Sequence, residues 1–594
     1  MLSTVPPLPG PAPTASRARE SDSRPSGDNV PGFGNYNAEG TGTQHSERAT
    51  TLTPLSKAMT RNSETAFAEK GDISTSQTHP SPSSNGGPRI LVIGAGSRGN
   101  AYARAIAEST NGIVAAVAEP IASKRQELGR RYIWGETGQS GPGQEFEDWA
   151  QFLEYEEDRR RRKARGEDVP EGVDGVLVCV LDELHKRVIT GLAHLELHVL
   201  SEKPLATTLG DCLDIWASLR PKKAGEKPRT IFAIGHVLRY SPHNMLLRKL
   251  LLEDNVIGDI ISIEHTEPVG WWHFSHSYVR GNWRKESSTA PSLLTKSCHD
   301  IDFILWLLCS PPPHSREPAH LPARLTSTGS LVYFRKSNKP PLAANATNCL
   351  SCPAEQQCIY SAKKIYLEKQ LQKGNADWPV NIVDPEIEDL FANQGPKPAS
   401  KRLLERLAED YDTPSEEADR RPWFGRCVYE SANDVCDDQN VIINWDEDRC
   451  PSSSTSISRH RGPKTAIFHM VAFTEAQCER RGRVYGTRGE IEYDSRAISV
   501  FTFGSGEKEI HYPPQPGGGH GGGDDGLATQ FIRAIDAVKD GGMSVETAQR
   551  EHIGCDIEEM IRSHAMVFAA EEARVEKKVV GCHEWWIKNM GPNL

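Results

Sequence analysis

The stretch RILVIGAGSRG, residues 89–99, decides the fold of this chain. Its apolar half has the length of a short strand, and three glycines follow at once with the spacing G-x-G-x-x-G. An alanine-rich segment of helical periodicity comes next, and a second apolar run, residues 113–118, ends at Glu119. Strand, glycine turn, helix and strand in this order predict the beginning of a parallel sheet flanked by helices.

The glycine turn and the acid after the second strand predict a dinucleotide site. Gly94 permits a tight turn, Gly96 lets the backbone approach a pyrophosphate, and Gly99 lets the helix pack close to the strand. The carboxylate of Glu119 suits the ribose hydroxyls of adenosine and repels a 2′-phosphate, which favours NAD, while two basic residues shortly after it keep NADP as the alternative. The predicted cofactor contacts are Gly94, Gly96, Ser97, Arg98, Gly99, Glu119, Glu202 and Lys203.

The alternation of short apolar runs and helical stretches continues to residue 235, whereas the later strands read as mostly antiparallel. The predicted fold class is α/β, with an N-terminal Rossmann domain at residues 89–235 and a C-terminal mixed α/β domain with a largely antiparallel open sheet at residues 236–594. A cysteine-rich insertion is expected at about 310–463. Residues 1–88 are rich in Ser, Pro and Gly without apolar periodicity, so we expect a disordered tail.

Composition and charge exclude several classes of function. The formal net charge of −11 provides no basic field for a nucleic-acid backbone, so no nucleic-acid partner is expected. The sequence has no apolar run of about eighteen residues and no secretory signal, so neither a membrane partner nor export is expected. Thirteen cysteines in such a chain favour thiols or metal ligands in a reducing compartment, and the predicted location is cytoplasmic.

Glu202-Lys203-Pro204 directly follows a predicted strand, at the carboxyl edge where open α/β sheets bind ligands. Lys203 is therefore placed to donate to a substrate hydroxyl and to the nicotinamide ribose, and Pro204 restricts it to extended geometry. Taken alone, the tripeptide also fits the surface end of a strand.

A second candidate lies on a helix that the sequence predicts from about residue 292 to residue 308. Lys296, His299 and Asp300 are three and four residues apart, so a lysine and a histidine would converge on one ligand. The alternative is a hydrogen-bonded structural histidine on a half-buried helix.

The segment SYVRGNWR, residues 277–284, combines aromatic rings with arginines, as carbohydrate sites do. Rings stack on sugar faces and guanidinium groups bind hydroxyls, so Arg280, Trp283 and Arg284 are candidate substrate residues. Core packing and surface capping explain the same residues equally well.

Four cysteines in the expected insertion have the spacing of a metal site. Cys349 and Cys352 are close enough in sequence to hold one metal from a tight turn, with Cys358 and the distant Cys427 completing a tetrahedral thiolate site. Cys436 and Cys450 are further candidates for the fourth ligand. The pattern predicts a structural zinc, with free thiols as the alternative. Four thiolates leave no open coordination position, so such a zinc would not take part in catalysis.

Taken in order, the motifs resemble the Gfo/Idh/MocA oxidoreductases, a family named for glucose-fructose oxidoreductase and inositol dehydrogenase. The resemblance runs from about residue 89 to residue 580 and rests on the glycine turn, the segment with His299, Glu202-Lys203-Pro204, Gly235-His236 with Arg239-Tyr240, and Gly486-Thr487-x-Gly489. It implies an NAD(P)-dependent oxidoreductase acting on a secondary alcohol or ketone of a sugar, cyclitol or related small molecule, with Lys203 and His299 as the catalytic pair. It also implies a homo-oligomer built through the open sheet, and it adds His236 to the substrate residues.

A subgroup of this family is similar around further segments of the chain. Cys358 precedes a Tyr-Ser-Ala run there, and Cys427 lies in the sequence GRCVY, which supports the zinc prediction. The glycine-rich loop 517–523, interrupted by His520, is either a flexible loop before a helix that Asp524 or Asp525 caps or, as the resemblance implies, a loop that carries His520 into the substrate cleft.

One position departs from the family. Its dehydrogenases usually have an aspartate four residues before the histidine, and Thr295 stands there in this chain. We expect Lys296 to take over the polar role as a third catalytic residue that lowers the pKa of His299. The departure keeps two alternatives open: a redox-neutral, NAD-dependent glycoside-cleaving enzyme, and a non-catalytic regulator that senses a sugar or a nucleotide.

Overall fold

The computed structural model of the chain describes residues 86–136, 138–221, 226–311, 315, 317–408, 421–449, 460–516 and 519–591. Residues 1–85 of the predicted disordered tail lie outside the described residues. Within the described part of the chain, no helix is both long and apolar enough to cross a membrane.

The first sheet has six parallel strands in the order β3-β2-β1-β4-β5-β6. Its strands are β1 (Arg89–Ile93), β2 (Ile113–Ala118), β3 (Glu145–Phe146), β4 (Gly175–Val178), β5 (His198–Ser201) and β6 (Phe232–Ile234). The helices between them are α1 (Ser97–Ser109), α2 (Ala122–Tyr132), α3 (Trp149–Ala164), α4 (His185–Leu192) and α5 (Leu209–Leu219). The apolar residues of β1 and β4 are buried because helices cover both faces of a parallel sheet, which explains their unbroken apolar runs. The predicted Rossmann order is confirmed.

The second sheet has nine strands in the order β16-β15-β14-β13-β7-β12-β9-β8-β17. The strands after β6 are β7 (Ile260–Pro268), β8 (Arg324–Ser330), β9 (Asp438–Trp445), β10 (Asp448–Arg449), β11 (His460–Arg461), β12 (Lys464–Val471), β13 (Arg481–Gly486), β14 (Gly489–Tyr493), β15 (Ile498–Thr502), β16 (Lys508–His511) and β17 (Val580–Gly581). All of its pairings are antiparallel except that of β7 with β12, while β10 and β11 form a separate pair. The expected α/β fold with a largely antiparallel second sheet is therefore confirmed.

The helices of the second part pack around this sheet and toward the first one. They are α6 (Pro242–Leu252), α7 (Trp271–Phe274), α8 (Ser292–Thr295), α9 (Cys298–Leu308), α10 (Val380–Val383), α11 (Glu386–Gln394), α12 (Pro396–Leu407), α13 (Gly523–Lys539), α14 (Val545–Ala548), α15 (Ile557–Glu576) and α16 (Cys582–Met590). Helix α15 packs on β8 and on α9, whereas α13 packs on α1 of the first sheet. The start of α13 is thereby brought to the glycine turn.

The expected insertion at 310–463 contains two strands of the second, nine-stranded sheet. Both β8 and β9 lie inside that range and pair with each other. The described residues between them form short helices around their own apolar cluster, which includes Tyr366 and Leu403. The elaboration is therefore shorter than its composition suggested, because a change in composition does not mark where a strand returns to the sheet.

Candidate active site

The glycine turn has the geometry that a pyrophosphate needs. Gly94 has φ +96°, which side chains rarely adopt, and a Cβ there would lie 2.4 Å from the carbonyl oxygen of Cys179. A Cβ on Gly99 would lie 2.0 Å from the carbonyl oxygen of Gly94, whereas a Cβ on Gly96 would meet no atom within 4 Å. Gly96 therefore faces open space beside the start of α1, where the helix dipole favours an anion.

Glu119 lies at the carboxyl end of β2, with both carboxylate oxygens in use. They accept from the backbone N–H of Ala95, at 2.8 Å, and of Ile121, at 2.9 Å. These bonds hold the buried carboxylate beside the glycine turn, where an adenosine ribose would meet it. The neighbouring Arg125 forms an ion pair with Glu145 at 2.9 Å, which offsets its positive charge.

Arg98 forms ion pairs with Glu202 of the first domain and with Asp524, which lies in α13. The guanidinium of Arg98 lies 2.8 Å from Glu202 Oε1 and donates two hydrogen bonds to the Asp524 carboxylate, at 2.8 and 3.0 Å. Tyr102 donates to the same Glu202 oxygen at 2.7 Å. Burial alone would raise the pKa of Glu202, but Arg98 and Lys203 together hold it below its ordinary value. The two side chains expected to contact the cofactor thus clamp the glycine turn to α13.

Lys203 follows β5 and reaches across to the helical segment of the second part. Its Nζ donates to the carbonyl oxygen of Thr295 at 3.0 Å and lies 5.6 Å from the ring centre of Trp283. The indole of Trp283 donates to Asp182 Oδ2 at 2.8 Å, and burial raises the pKa of Asp182 although Lys203 opposes this. Asp182 was not predicted; its position just after β4, at the same sheet edge, was the signal for it.

The helix predicted from residue 292 to 308 is broken, which corrects the expectation for Lys296. Helix α8 ends at Thr295 and α9 begins at Cys298, so the helical spacing that would align Lys296 with His299 does not hold. The Nζ of Lys296 lies 3.0 Å from Glu267 Oε1 and 3.0 Å from Cys478 Sγ instead. The carbonyl freed at the break is the one that Lys203 binds.

His299 stands at the centre of a row of four histidines. Its ring centre lies 5.7 Å from that of His520 and 6.2 Å from that of His236, and the ring of His236 stacks on His564 at 5.3 Å. His299 is 4% exposed, and its Nδ1 has no hydrogen-bond partner among the described residues. Burial, and then the positive charge of Lys203, lower the pKa of His299 well below its ordinary value. A neutral imidazole of this kind can accept a proton at neutral pH.

Carboxylates hold the flanking histidines on both sides of His299. His236 Nδ1 lies 3.0 Å from Asp302 Oδ1, and that carboxylate also pairs with Arg239. On the other side, His520 Nδ1 lies 3.0 Å from Asp524 Oδ1. Sequence reasoning assigned Asp524 only a capping role, because its partner Arg98 is more than four hundred residues away.

Comparison with known proteins identifies the cofactor-binding part. Residues 88–225 match the family model described as an oxidoreductase family with an NAD-binding Rossmann fold. The match is to the Gfo/Idh/MocA family. The match supports an NAD-binding Rossmann fold for the part of the chain that carries the glycine turn.

The similarity to individual relatives is partial. The 2,7-anhydro-N-acetylneuraminate hydratase of Escherichia coli is 32% identical over 136 residues, which are 23% of this chain and 34% of that protein. Inositol 2-dehydrogenase 1 of Saccharopolyspora erythraea is 28% identical over 141 residues, 23% of this chain and 36% of that protein. The matched segment thus spans about a third of the length of these curated Gfo/Idh/MocA relatives.

A solved structure extends the likeness in fold to most of the described chain. Levoglucosan dehydrogenase, in complex with NADH and levoglucosan, superimposes with a TM-score of 0.50 at 14% identity, over 83% of this chain and 99% of that one. This likeness concerns the fold alone.

Among the arginines expected in the substrate site, the structure places Arg280 elsewhere. The guanidinium is fully buried and donates to the carbonyl oxygens of Arg426 and Tyr360, both at 2.6 Å, and to Cys349 Sγ at 3.5 Å. Arg284 is buried as well and donates to the Gly281 carbonyl oxygen at 3.3 Å. Core packing, the alternative reading of this segment, accounts for both arginines, since the chain folds inward through a π-helical turn at Ser275–Arg280.

The four cysteines predicted as metal ligands line one small cavity together with Arg280. The cavity has a volume of about 30 Å³, and its lining includes the sulfur-bearing residues Cys349, Cys352, Cys358 and Cys427. In the part of the chain that the structure describes, no three His, Cys, Asp or Glu side chains are placed as a metal-holding group. The structure therefore confirms that the cysteines converge, and zinc itself stays a prediction.

Proposed function

We propose that the protein is an NAD-dependent dehydrogenase that oxidises a secondary alcohol of a sugar, cyclitol or related small molecule. The observation that carries this proposal is that Lys203, which follows β5 of the first sheet, binds the Thr295 carbonyl and places its positive charge where it acts on the buried His299. The family of the cofactor-binding region and the named activities of an inositol dehydrogenase and a levoglucosan dehydrogenase with the same fold support the choice.

The proposed chemistry divides between two side chains and the cofactor. The ammonium of Lys203 donates to the substrate hydroxyl oxygen and offsets the negative charge that develops on it. The imidazole of His299 accepts the hydroxyl proton, which leaves the carbon–hydrogen bond as the electron source. NAD supplies a hydride acceptor, so the balance is alcohol plus NAD⁺ to ketone, NADH and one proton.

Two of the five predicted substrate residues border the proposed catalytic pair. Trp283 offers a ring beside Lys203, and His520 borders His299 from the glycine-rich loop. His236 is only 1% exposed, so we assign it to the support of His299 from behind. Arg280 and Arg284 are left out because their donors serve the protein interior.

A redox-neutral reaction is the second candidate. The relative from Escherichia coli is named a hydratase, and addition of water changes no net oxidation state. Thr295, where the family's dehydrogenases usually carry an aspartate, is compatible with such a reaction. A purely sensory role is disfavoured, because Lys203 and His299 are both present and close to each other.

The test is a panel of sugars and cyclitols offered to the full-length protein with NAD or NADP, while formation of reduced cofactor is followed by absorbance. We expect one substrate class to give stoichiometric NADH, with NAD preferred over NADP because of Glu119. Substrate conversion without net NADH would select the redox-neutral candidate. A protein that binds cofactor but converts no panel member would contradict both reactions and favour the sensory role.

We further propose a homo-oligomer and a cytoplasmic location, as the sequence predicts. The outer face of the nine-stranded sheet exposes a cross-strand pair of large apolar residues, Ile442 and Ile467, each 39% exposed. Apolar side chains on an open sheet face favour burial against a second copy.

We also propose one zinc ion per chain at the four cysteines. The buried positive charge of Arg280 lies beside Cys349, and its Nη1 has no hydrogen-bond partner among the described residues. A buried cation of this kind needs an anion, and a zinc tetrathiolate carries net negative charge.

Elemental analysis of protein purified without chelator tests the zinc proposal. We expect about one zinc per chain, its loss in Cys358→Ser, and a lower melting temperature after chelation. Cys436→Ala is the matched control, because Cys436 is buried in the same region but does not line the cavity. Metal-free protein with unchanged stability in chelator would disprove the site.

A further inference from the structure

His520 occupies an unusual place in the loop before α13. It has φ +55° although it is not a glycine, and it stands between Gly519 and Gly521. Its ring lies between two partners: His299, with ring centres 5.7 Å apart, and Asp524, whose Oδ1 is 3.0 Å from His520 Nδ1. Because Nδ1 faces the carboxylate, the second ring nitrogen, Nε2, is available to take up and release a proton.

His520 differs from the neighbouring histidines in its exposure to solvent. His299 is 4% exposed, and His236 and His564 on its other side are 1% and 0% exposed. The side chain of His520 is 31% exposed. A proton that His299 takes from a substrate must leave a buried site, and of these four histidines, His520 is the one in contact with solvent.

The charges around the two rings favour movement of a proton in this direction. Burial, and then the positive charges of Lys203 and Arg480, disfavour a lasting imidazolium on His299. The Asp524 carboxylate lies 3.0 Å from His520 Nδ1 and can accept a charge-assisted hydrogen bond from that ring. The other side of that carboxylate is held by Arg98 of the glycine turn, so the pair is fixed relative to the cofactor loop.

We propose that His520, oriented by Asp524, carries the substrate proton from His299 to solvent after each oxidation. The inference rests on the proposed dehydrogenase function. His299 takes the hydroxyl proton and passes one proton, directly or through one water, to His520 Nε2. His520 then releases it to water or buffer, while its Nδ1–H stays bonded to Asp524. Both histidines return to the neutral form, so the balance is that of the oxidation itself.

The experiment uses full-length His520→Ala with the substrate that the panel identifies. In dilute buffer we expect turnover to fall by about a hundredfold, the lower end for loss of a proton-transfer group. Added imidazole should restore it in a saturable manner, while wild-type turnover should not depend on imidazole. The KM and the NAD affinity should stay near wild type, and the NAD titration also shows that the variant is folded.

Gln515→Ala is the matched control, since Gln515 is an exposed residue shortly before this loop and donates to the Ser495 carbonyl oxygen. It should turn over like wild type at every imidazole concentration. Unchanged turnover of His520→Ala in dilute buffer would overturn the proposal, as would a loss that imidazole does not restore and that appears as a raised KM. Both of those outcomes leave the dehydrogenase function standing, whereas wild-type protein that forms no NADH with any panel member overturns the function and the proton route together. His520→Gln, which keeps a polar side chain, should behave like the alanine variant.

Discussion

His299→Ala should reduce turnover by about a hundredfold to ten-thousandfold, which is about 3 to 5 kcal/mol of barrier. The buried neutral imidazole is the proposed acceptor of the substrate proton, and no water replaces it easily at a position that is 4% exposed. The affinity for NAD should stay the same, because the adenosine and the phosphates are held at the glycine turn and Glu119. Steady-state kinetics and a cofactor titration measure the two effects.

The matched control for this variant is His194→Ala. The His194 side chain is 53% exposed and pairs with Glu157 on the surface of the first part, so its loss should leave turnover unchanged. Turnover close to wild type in His299→Ala would exclude His299 as the proton acceptor and would favour the sensory role.

The lowered pKa of His299 fixes the sign of the pH dependence. Wild-type turnover should stay level as the pH falls from 8 to about 6, since the imidazole is already neutral there, and should decline only at lower pH. Stability follows the same sign: His299 contributes stability above its unfolded pKa of about 6.5, and this is lost as the pH falls toward the lower folded value. Melting curves across the pH range separate the two effects.

Lys203→Ala should have the second-largest effect, with kcat/KM lower by about a hundredfold or more. The variant loses the donor to the substrate oxygen and the positive charge beside His299. Because that charge helps to lower the pKa of His299, its removal raises the pKa and shifts the acidic limb of the pH profile upward. A pH series of kcat/KM measures both the loss and the shift.

Lys249→Ala serves as the control for charge removal, because Lys249 is exposed and pairs with Asp254 far along the surface of α6. It should change neither the rate nor the acidic limb. An acidic limb that stays in place in Lys203→Ala would show that the lysine does not act on His299, and a rate near wild type would remove it from the catalytic pair.

The first sheet was predictable because its signals are local. The apolar run of β1, the glycine turn, α1 and the acid after β2 follow one another within about thirty residues. Gly94 and Gly99 have the steric reason that the sequence already implies, because Cβ atoms there would overlap backbone oxygens. The position of Lys203 was also predictable from the sequence, since the residues that follow a parallel strand lie at the carboxyl edge of the sheet.

The helix around His299 shows where such reasoning ends. Its periodicity fits one continuous helix, yet the chain breaks at residues 296 and 297, where Lys203 takes the Thr295 carbonyl and Lys296 turns to the buried Glu267. These partners come from β5 and β7, and helical spacing contains no information about them.

By itself the sequence determined the Rossmann fold and predicted a candidate NAD site at the glycine turn, because turn sterics and apolar periodicity act over short stretches. It also supplied Lys203 and His299 as candidates. Tertiary structure alone decided that Arg280 lies with the cysteines and that Arg98, Asp524, His520 and His299 form one connected series. Residues more than four hundred positions apart meet only when two sheets pack, so their pairing depends on the burial and charge of the whole fold.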